Sequence, residues 1–217
     1  MSLLEVSDLV VEFKVKDVNS RKFRAVDGVS FKISERETVG LVGESGSGKS
    51  TIGRAILGLT PTSSGSVVFK GEDITRASTR RRRALAQDIQ AVFQDPFSSL
   101  DPRRTVGDAL SEPLVVQKKL SKRETTARVH ELLELVRLPA DSSNRLPADF
   151  SGGQRQRIAI ARALANDPEL VVCDEAVSAL DVSTQAQIVN LLGDLKSRLG
   201  MSYLFISHDL SVVRYMC

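Results

Sequence analysis

Apolar and polar residues alternate along Glu12-Phe13-Lys14-Val15-Lys16-Asp17 and again along Val29-Ser30-Phe31-Lys32-Ile33. That is the period-two pattern of half-buried strands. Thr38-Val39-Gly40-Leu41-Val42 is a short apolar run that stops at glycines, as a buried strand does, and Ser66 to Lys70 predicts another strand. The polar stretch Asp17 to Arg24 reads as a loop, and Lys49 to Leu59 as a helix ending before Pro61. The middle of the chain changes character. From Pro96 to Asp149 there are five prolines and long helical patterns, with Val129, Leu132, Leu133 and Val136 at helical spacing. The last third alternates again. A helix from about Gly152 to Asn166 stops at Pro168, and a strand Leu170–Cys173 follows. A helix from about Thr184 to Leu199 then leads to a strand Ser202–Ile206. The pattern is an α/β core interrupted by a helical insertion.

The 217 residues make one large domain or two small ones. Hydrophobic residues at 41% and charged residues at 26% suit a globular protein and exclude wholesale disorder. Lys+Arg 30 against Asp+Glu 27 leaves +3, too little for a dedicated nucleic-acid binder. Two cysteines exclude a disulfide scaffold and a Cys-rich zinc module. No apolar run approaches the ~18 residues of a membrane span, and Met1–Glu5 starts no signal peptide. The expectation is a reduced, cytoplasmic, soluble chain that works at a membrane only through a partner. The run Arg80-Arg81-Arg82-Arg83 is read as the solvated face of a surface helix, with a nucleic-acid patch as the rival.

Gly43-Glu44-Ser45-Gly46-Ser47-Gly48-Lys49-Ser50 fits the phosphate-loop pattern G-x-x-x-x-G-K-[ST], with an apolar strand before it and a helix after. Glycines let the backbone curl so that successive N–H groups point at phosphate oxygens, and the helix N-terminus adds positive charge. Lys49 can reach the β- and γ-phosphates, and Ser50 offers a hydroxyl to Mg²⁺. The strand Leu170–Cys173 ends in Asp174-Glu175. Ligands of open α/β sheets sit beyond the carboxyl ends of strands. Asp174 is therefore expected to hold Mg²⁺, directly or through water, and Glu175 to deprotonate an attacking water. An acidic helix cap after a strand is the plainer alternative. Cys173 reads as a buried small hydrophobe.

Ser151-Gly152-Gly153-Gln154 opens a helix with a good N-cap and two glycines, a second anion site on the same physics. One nucleotide cannot lie against two such helix ends unless they converge, within the chain or from another copy. Ile158, Ala161, Leu164 and Ala165 form the expected buried face of this helix.

Here the sequence resembles the ABC ATPases, the nucleotide-binding subunits of ABC transporters. Ser151-Gly152-Gly153-Gln154 is similar to their signature motif, Gln94 to the Q-loop glutamine, Ser178-Ala179-Leu180-Asp181 to the D-loop and His208 to the switch histidine. Phe13 sits where an aromatic residue stacks on adenine, with Phe23 as its rival. The finer resemblance is to the peptide importer subfamily (dipeptide, oligopeptide and glutathione uptake). It rests on Gly43 to Thr51, on Phe93 to Arg103, and on Ala179 to Ser183 with Gln185 to Ile188. Ala176 stands where many relatives have proline.

The resemblance implies a phosphate-loop NTPase core with an N-terminal antiparallel β subdomain and a helical subdomain inserted at about 96–155 of a single domain, 1–217. It implies ATP and Mg²⁺ as ligands. Gly43, Ser45, Gly46, Gly48, Lys49, Ser50 and Thr51 then hold phosphate, Ser50, Gln94 and Asp174 serve Mg²⁺, Glu175 is the general base and His208 meets the γ-phosphate. Ser151, Gly152, Gly153 and Gln154 reach the ATP of a second nucleotide-binding domain, with Asp181 at the seam. It further implies transmembrane permease partners and a place at the cytoplasmic face of the membrane. Relatives continue past Cys217 with further strands, so the chain is read as truncated. The function expected is an importer ATPase. A non-transport ABC ATPase acting on nucleic acid or ribosome is the alternative, and a binding-only module with a degenerate site a third.

Overall fold

The structure, a computed structural model, describes residues 2–14, 22–95, 100–118 and 120–217. The chain forms two compact units, residues 1–86 with 202–217, and residues 87–201.

In the first unit, β1 (Ser2–Lys14) pairs antiparallel with β2 (Lys22–Ser34) on one side and β4 (Ser64–Phe69) on the other, and β5 (Glu72–Asp73) closes the order β2-β1-β4-β5. Leu4, Val6, Leu9, Val11, Ile33, Val67 and Phe69 are buried in this sheet. The register slips between Val6 and Leu9 and again toward Val11, which shifts the phase of the inward face. A parallel pair completes the unit: β3 (Thr38–Val42) lies beside β8 (Ser202–Ser207), with Thr38 opposite Tyr203 and Val42 opposite Ser207. Every residue of β8 is buried, the apolar Tyr203–Ile206 and the serines at either end alike. Helix α1 (Lys49–Ile56) buries Ile52, Ala55 and Ile56.

Two expectations in this unit are corrected. The polar stretch to Arg24 reads as a loop, yet Lys22–Arg24 open β2. Their charges do not oppose pairing, because Lys22 and Arg24 both reach Glu12 across the strands, at 3.1 and 3.3 Å. Residues 15–21 of that stretch lie outside the described residues. The arginine run does form a surface helix, α2 (Thr79–Leu85), but one of its members leaves the solvated face. Arg82 donates to the Ile56 carbonyl at 2.8 Å and the Ile74 carbonyl at 2.5 Å. It thereby satisfies a carbonyl at the end of α1 and lies against Gly58, where a side chain would collide with the guanidinium. Arg81 pairs with Glu72, while Arg80 and Arg83 are exposed.

In the second unit, β6 (Ile89–Phe93) and β7 (Leu170–Asp174) are parallel, with Ile89 opposite Leu170 and Phe93 opposite Asp174. All five residues of β7 are buried. Helix α3 (Val106–Pro113) and α4 (Lys122–Leu135) both start at capping boxes, Thr105 with Asp108 and Ser121 with Glu124. Pro113 lacks the N–H that would continue α3, and a π-helical turn, Leu114–Lys118, follows it. Val129, Leu132, Leu133 and Val136 are buried, and so are Ile158, Ala161, Leu164 and Ala165 around α5 (Gly152–Leu164). The Asp167 carboxylate, just beyond α5, takes both Lys118 and Arg128 and ties the π-turn and α4 to it. Helix α6 (Val182–Leu199) ends at Gly200 in the left-handed conformation, and in the first unit α7 (Leu210–Met216) buries Val212, Val213 and Met216.

Arg82→Ala removes two charge-assisted bonds to buried carbonyls and should lower folding stability by about 2 kcal/mol. Arg80→Ala should change it by no more than about 0.5 kcal/mol. Urea unfolding midpoints of the two variants compare them directly.

Candidate functional site

In the first unit the loop Gly43–Gly48 leaves the carboxyl end of β3, and α1 begins at Lys49. Gly48 caps that helix at φ 92, the left-handed region, and a Cβ there would come inside 3.0 Å of the Ala25 carbonyl oxygen. Both facts demand glycine. The loop is exposed but Lys49 is only 6% so. Its ammonium donates to the carbonyls of Gly43 at 2.8 Å and Glu44 at 2.6 Å, which fixes a cation inside the curl. Ser50 and Thr51 are half-buried in the first turn of α1, and Ser45 and Gly46 sit at the exposed crest of the loop. The arrangement of cation, helix N-terminus and curled backbone is suited to a polyphosphate.

The parallel register brings His208 to the same edge. Val42 faces Ser207, so the residues that follow, Gly43 and His208, leave side by side from the ends of β3 and β8. His208 is exposed. Its neighbour Asp209 caps α7. The Ser211 hydroxyl, and then its amide, hold the Asp209 carboxyl below its usual range. The two candidate rings for a base, Phe13 and Phe23, are direct cross-strand partners and are 44% and 57% exposed. Register thus places the two residues opposite one another.

In the second unit Asp174 is the buried last residue of β7. Burial, with the adjacent Asp174 charge second, pushes the Cys173 thiol up to about 12, so this cysteine is an inert apolar filler. Glu175 turns out of the strand at φ 51, uncommon for a residue with a side chain. The amide and hydroxyl of Ser178 both donate to the Glu175 carbonyl, at 3.1 and 3.0 Å, and hold that turn. Gln94 follows Phe93, the partner of Asp174, so Gln94, Asp174 and Glu175 share one strand edge. A residue the sequence reading passed over fixes this edge: Gln156, fully buried on α5, donates its amide to the Phe93 carbonyl at 3.3 Å. A glutamine on the apolar side of a helix was the available signal. Pro96 to Ser99, part of the peptide-importer resemblance, lie outside the described residues.

Ser151 and Gln154 close a capping box at the start of α5: the Ser151 hydroxyl accepts from the Gln154 amide, and the Gln154 side chain accepts from the Ser151 amide. The box takes the third amide of the turn and leaves those of Gly152 and Gly153 directed out of the helix end. A Cβ added to Gly152 would meet Leu180 and one added to Gly153 would meet Thr184, so the start of α5 lies against the start of α6. Asp181 caps α6. The Ser183 hydroxyl, the Thr184 amide and the Thr184 hydroxyl hold its carboxyl well below the usual carboxylate range. Val182 beside it is 84% exposed.

Known proteins resemble this chain in sequence and fold. The sequence model described as ABC transporter matches residues 26–178. A Brucella abortus (strain 2308) protein bearing the provisional name peptide import ATP-binding protein is 54% identical over 98% of this chain and 65% of its own length. A Brucella ovis protein of the same provisional name is 51% identical over 99% of this chain and 67% of its own. This chain thus spans about two thirds of the length of such relatives. Among solved structures, the dimeric post-hydrolysis state of the ATP-binding cassette MJ0796 bound to ADP and Pi superposes with a TM-score of 0.87 at 31% identity, covering 98% of this chain and 90% of that one.

Gly48→Ala must strain the backbone and displace β2, and should weaken binding of a fluorescent ATP analogue by ~10²-fold. Gly46→Ala meets open space despite a positive φ. It should cost only ~10-fold, the left-handed penalty alone.

Proposed function

The chain belongs to the ABC transporter family, and from that premise we propose that it is the ATP-hydrolysing subunit of an importer that drives uptake of peptides or similar small solutes through a separate membrane permease. The observation that carries the peptide reading is the identity of more than half over almost the whole chain with relatives of that name. Among the described residues no helix is long and apolar enough to cross a membrane. We place this subunit at the cytoplasmic face of the membrane, in one domain with its helical insertion near 96–155.

The site residues take these roles. Gly43, Ser45, Gly46, Gly48, Lys49 and Thr51 cradle the phosphates of ATP, and Phe13 with Phe23 offers stacking area to the base. Ser50, Gln94 and Asp174 supply hydroxyl, amide and carboxylate oxygens, a hard donor set that suits Mg²⁺. Among the described residues no group of three or more His, Cys, Asp or Glu is placed to hold a metal ion. When bound, Mg²⁺ supplies charge neutralisation at the β- and γ-phosphate oxygens. Glu175 takes a proton from water as its oxygen attacks the γ-phosphorus. The bond from that phosphorus to the β,γ-bridging oxygen breaks, and ADP and inorganic phosphate leave. His208 donates a hydrogen bond to the γ-phosphate. Ser151, Gly152 and Gly153, supported by Gln154, present their helix end to the ATP of a second nucleotide-binding domain, and Asp181 lies at that seam. Two copies or sister subunits thus complete each other's sites.

Glu175→Gln should keep ATP affinity and lower turnover by ~10²-fold, the scale of a lost general base. Lys49→Ala should weaken ATP binding itself, which isothermal titration would detect. Retained hydrolysis in the first, or unchanged affinity in the second, would remove that residue from its role. Purifying the complete protein from detergent-solubilised membranes should recover a multi-span permease. Recovery with ribosomes or DNA instead would overturn the importer assignment.

A further inference from the structure

We propose that Thr184 is a positioning residue that fixes the phosphate-facing end of α5 against the start of α6, and that Gly153 is glycine because of Thr184 rather than because of a ligand. The proposal rests on the reading of Ser151–Gly153 as the nucleotide-facing helix end. The two adjacent glycines differ in their surroundings. A Cβ on Gly152 would meet only the Leu180 Cδ2, at 3.6 Å, an ordinary contact. A Cβ on Gly153 would fall inside 3.0 Å of the Thr184 Cγ2, with the Thr184 Cβ at 3.7 Å and Oγ1 at 3.8 Å. Gly153 is buried.

Thr184 cannot swing aside. Its branched side chain is stiff at χ1 within a helix. Its amide donates to the Asp181 carboxylate at 3.0 Å, and its hydroxyl is among the groups that lower that carboxyl. One residue therefore holds the cap of α6 through its amide and the start of α5 through its methyl. Adding a Cβ at 153 forces the α5 terminus away, and the amides of Gly152 and Gly153 move with it. Displacing a reacting geometry by about 1 Å can cost ~10²-fold in rate. Gly152 faces no such intrachain barrier, so the demand for glycine there comes from what approaches the helix end.

The test compares Gly152→Ala, Gly153→Ala, Thr184→Ser and the double variant Gly153→Ala/Thr184→Ser in the complete protein. Thr184→Ser keeps the amide bond to Asp181 and a hydroxyl, and deletes only the Cγ2. Gly153→Ala should lower ATP turnover by ~10²-fold with KM for ATP unchanged, since Lys49 and its loop are untouched. The double variant should return to within roughly 3-fold of wild type, a non-additive rescue between contacting residues. Thr184→Ser alone should lose no more than roughly 3-fold. If Gly153→Ala does not accumulate in folded form, recovery of folded double variant is the same readout. Wild-type turnover in Gly153→Ala, or a double variant as impaired as Gly153→Ala, overturns the role of Thr184. Gly152→Ala separates this from the underlying assignment. Lost turnover at an unchanged melting temperature supports nucleotide contact at this helix end. Full turnover in both alanine variants removes that contact itself.

Discussion

Parallel pairing is the constraint on which the rest depends. Parallel strands run in one direction, so where their last residues pair, the residues after them share one edge. In the first unit that rule sets the loop at Gly43 beside His208. In the second it sets Gln94 beside Asp174 and Glu175. The chemistry of each unit is thus positioned by backbone geometry before any side chain contributes. The price is full burial of β7 and β8, whose central residues are accordingly apolar, with polar residues confined to their ends.

Charged side chains in this protein act on backbone ends more than on one another. Arg82 serves a helix carbonyl and a loop carbonyl, and Lys49 serves two carbonyls of its own loop. Asp181 and Asp209 hold helix amides and adjacent serine hydroxyls. Groups so engaged are worth more than exposed ion pairs such as Arg24 with Asp27, whose partners are both open to water. The few polar contacts that matter are therefore found at the termini of elements, where orphan backbone groups gather.

Much of the candidate site was legible because its parts are contiguous strings. The phosphate loop, the acid pair after β7 and the serine-led start of α5 each announce themselves within eight residues or so, since one turn or one cap needs only local sequence. The strands of plain alternation or unbroken apolar run were legible for the same reason. What failed to show was non-local. The first half of β1 hides because its bulges break the period-two pattern. Lys22–Arg24 look like a loop until Glu12 is known to face them. Arg82 looks solvated until the end of α1 is placed against it. The left-handed turn at Glu175 leaves no mark in composition. The reason for Gly153 lies at Thr184, far along the chain.

The order β2-β1-β4-β5 leaves two strands at the borders of the antiparallel sheet. One, β5, is two acidic residues long, and the other, β2, carries Lys22, Arg24, Asp27 and Lys32 at exposed positions. A foreign strand seeking to extend this sheet would find too few backbone groups on one side and fixed charges on the other. A long, twisted, hydrogen-bonding surface is thereby kept from templating its own accretion into fibrils. The chain can expose two phenylalanines on that same sheet without making it adhesive.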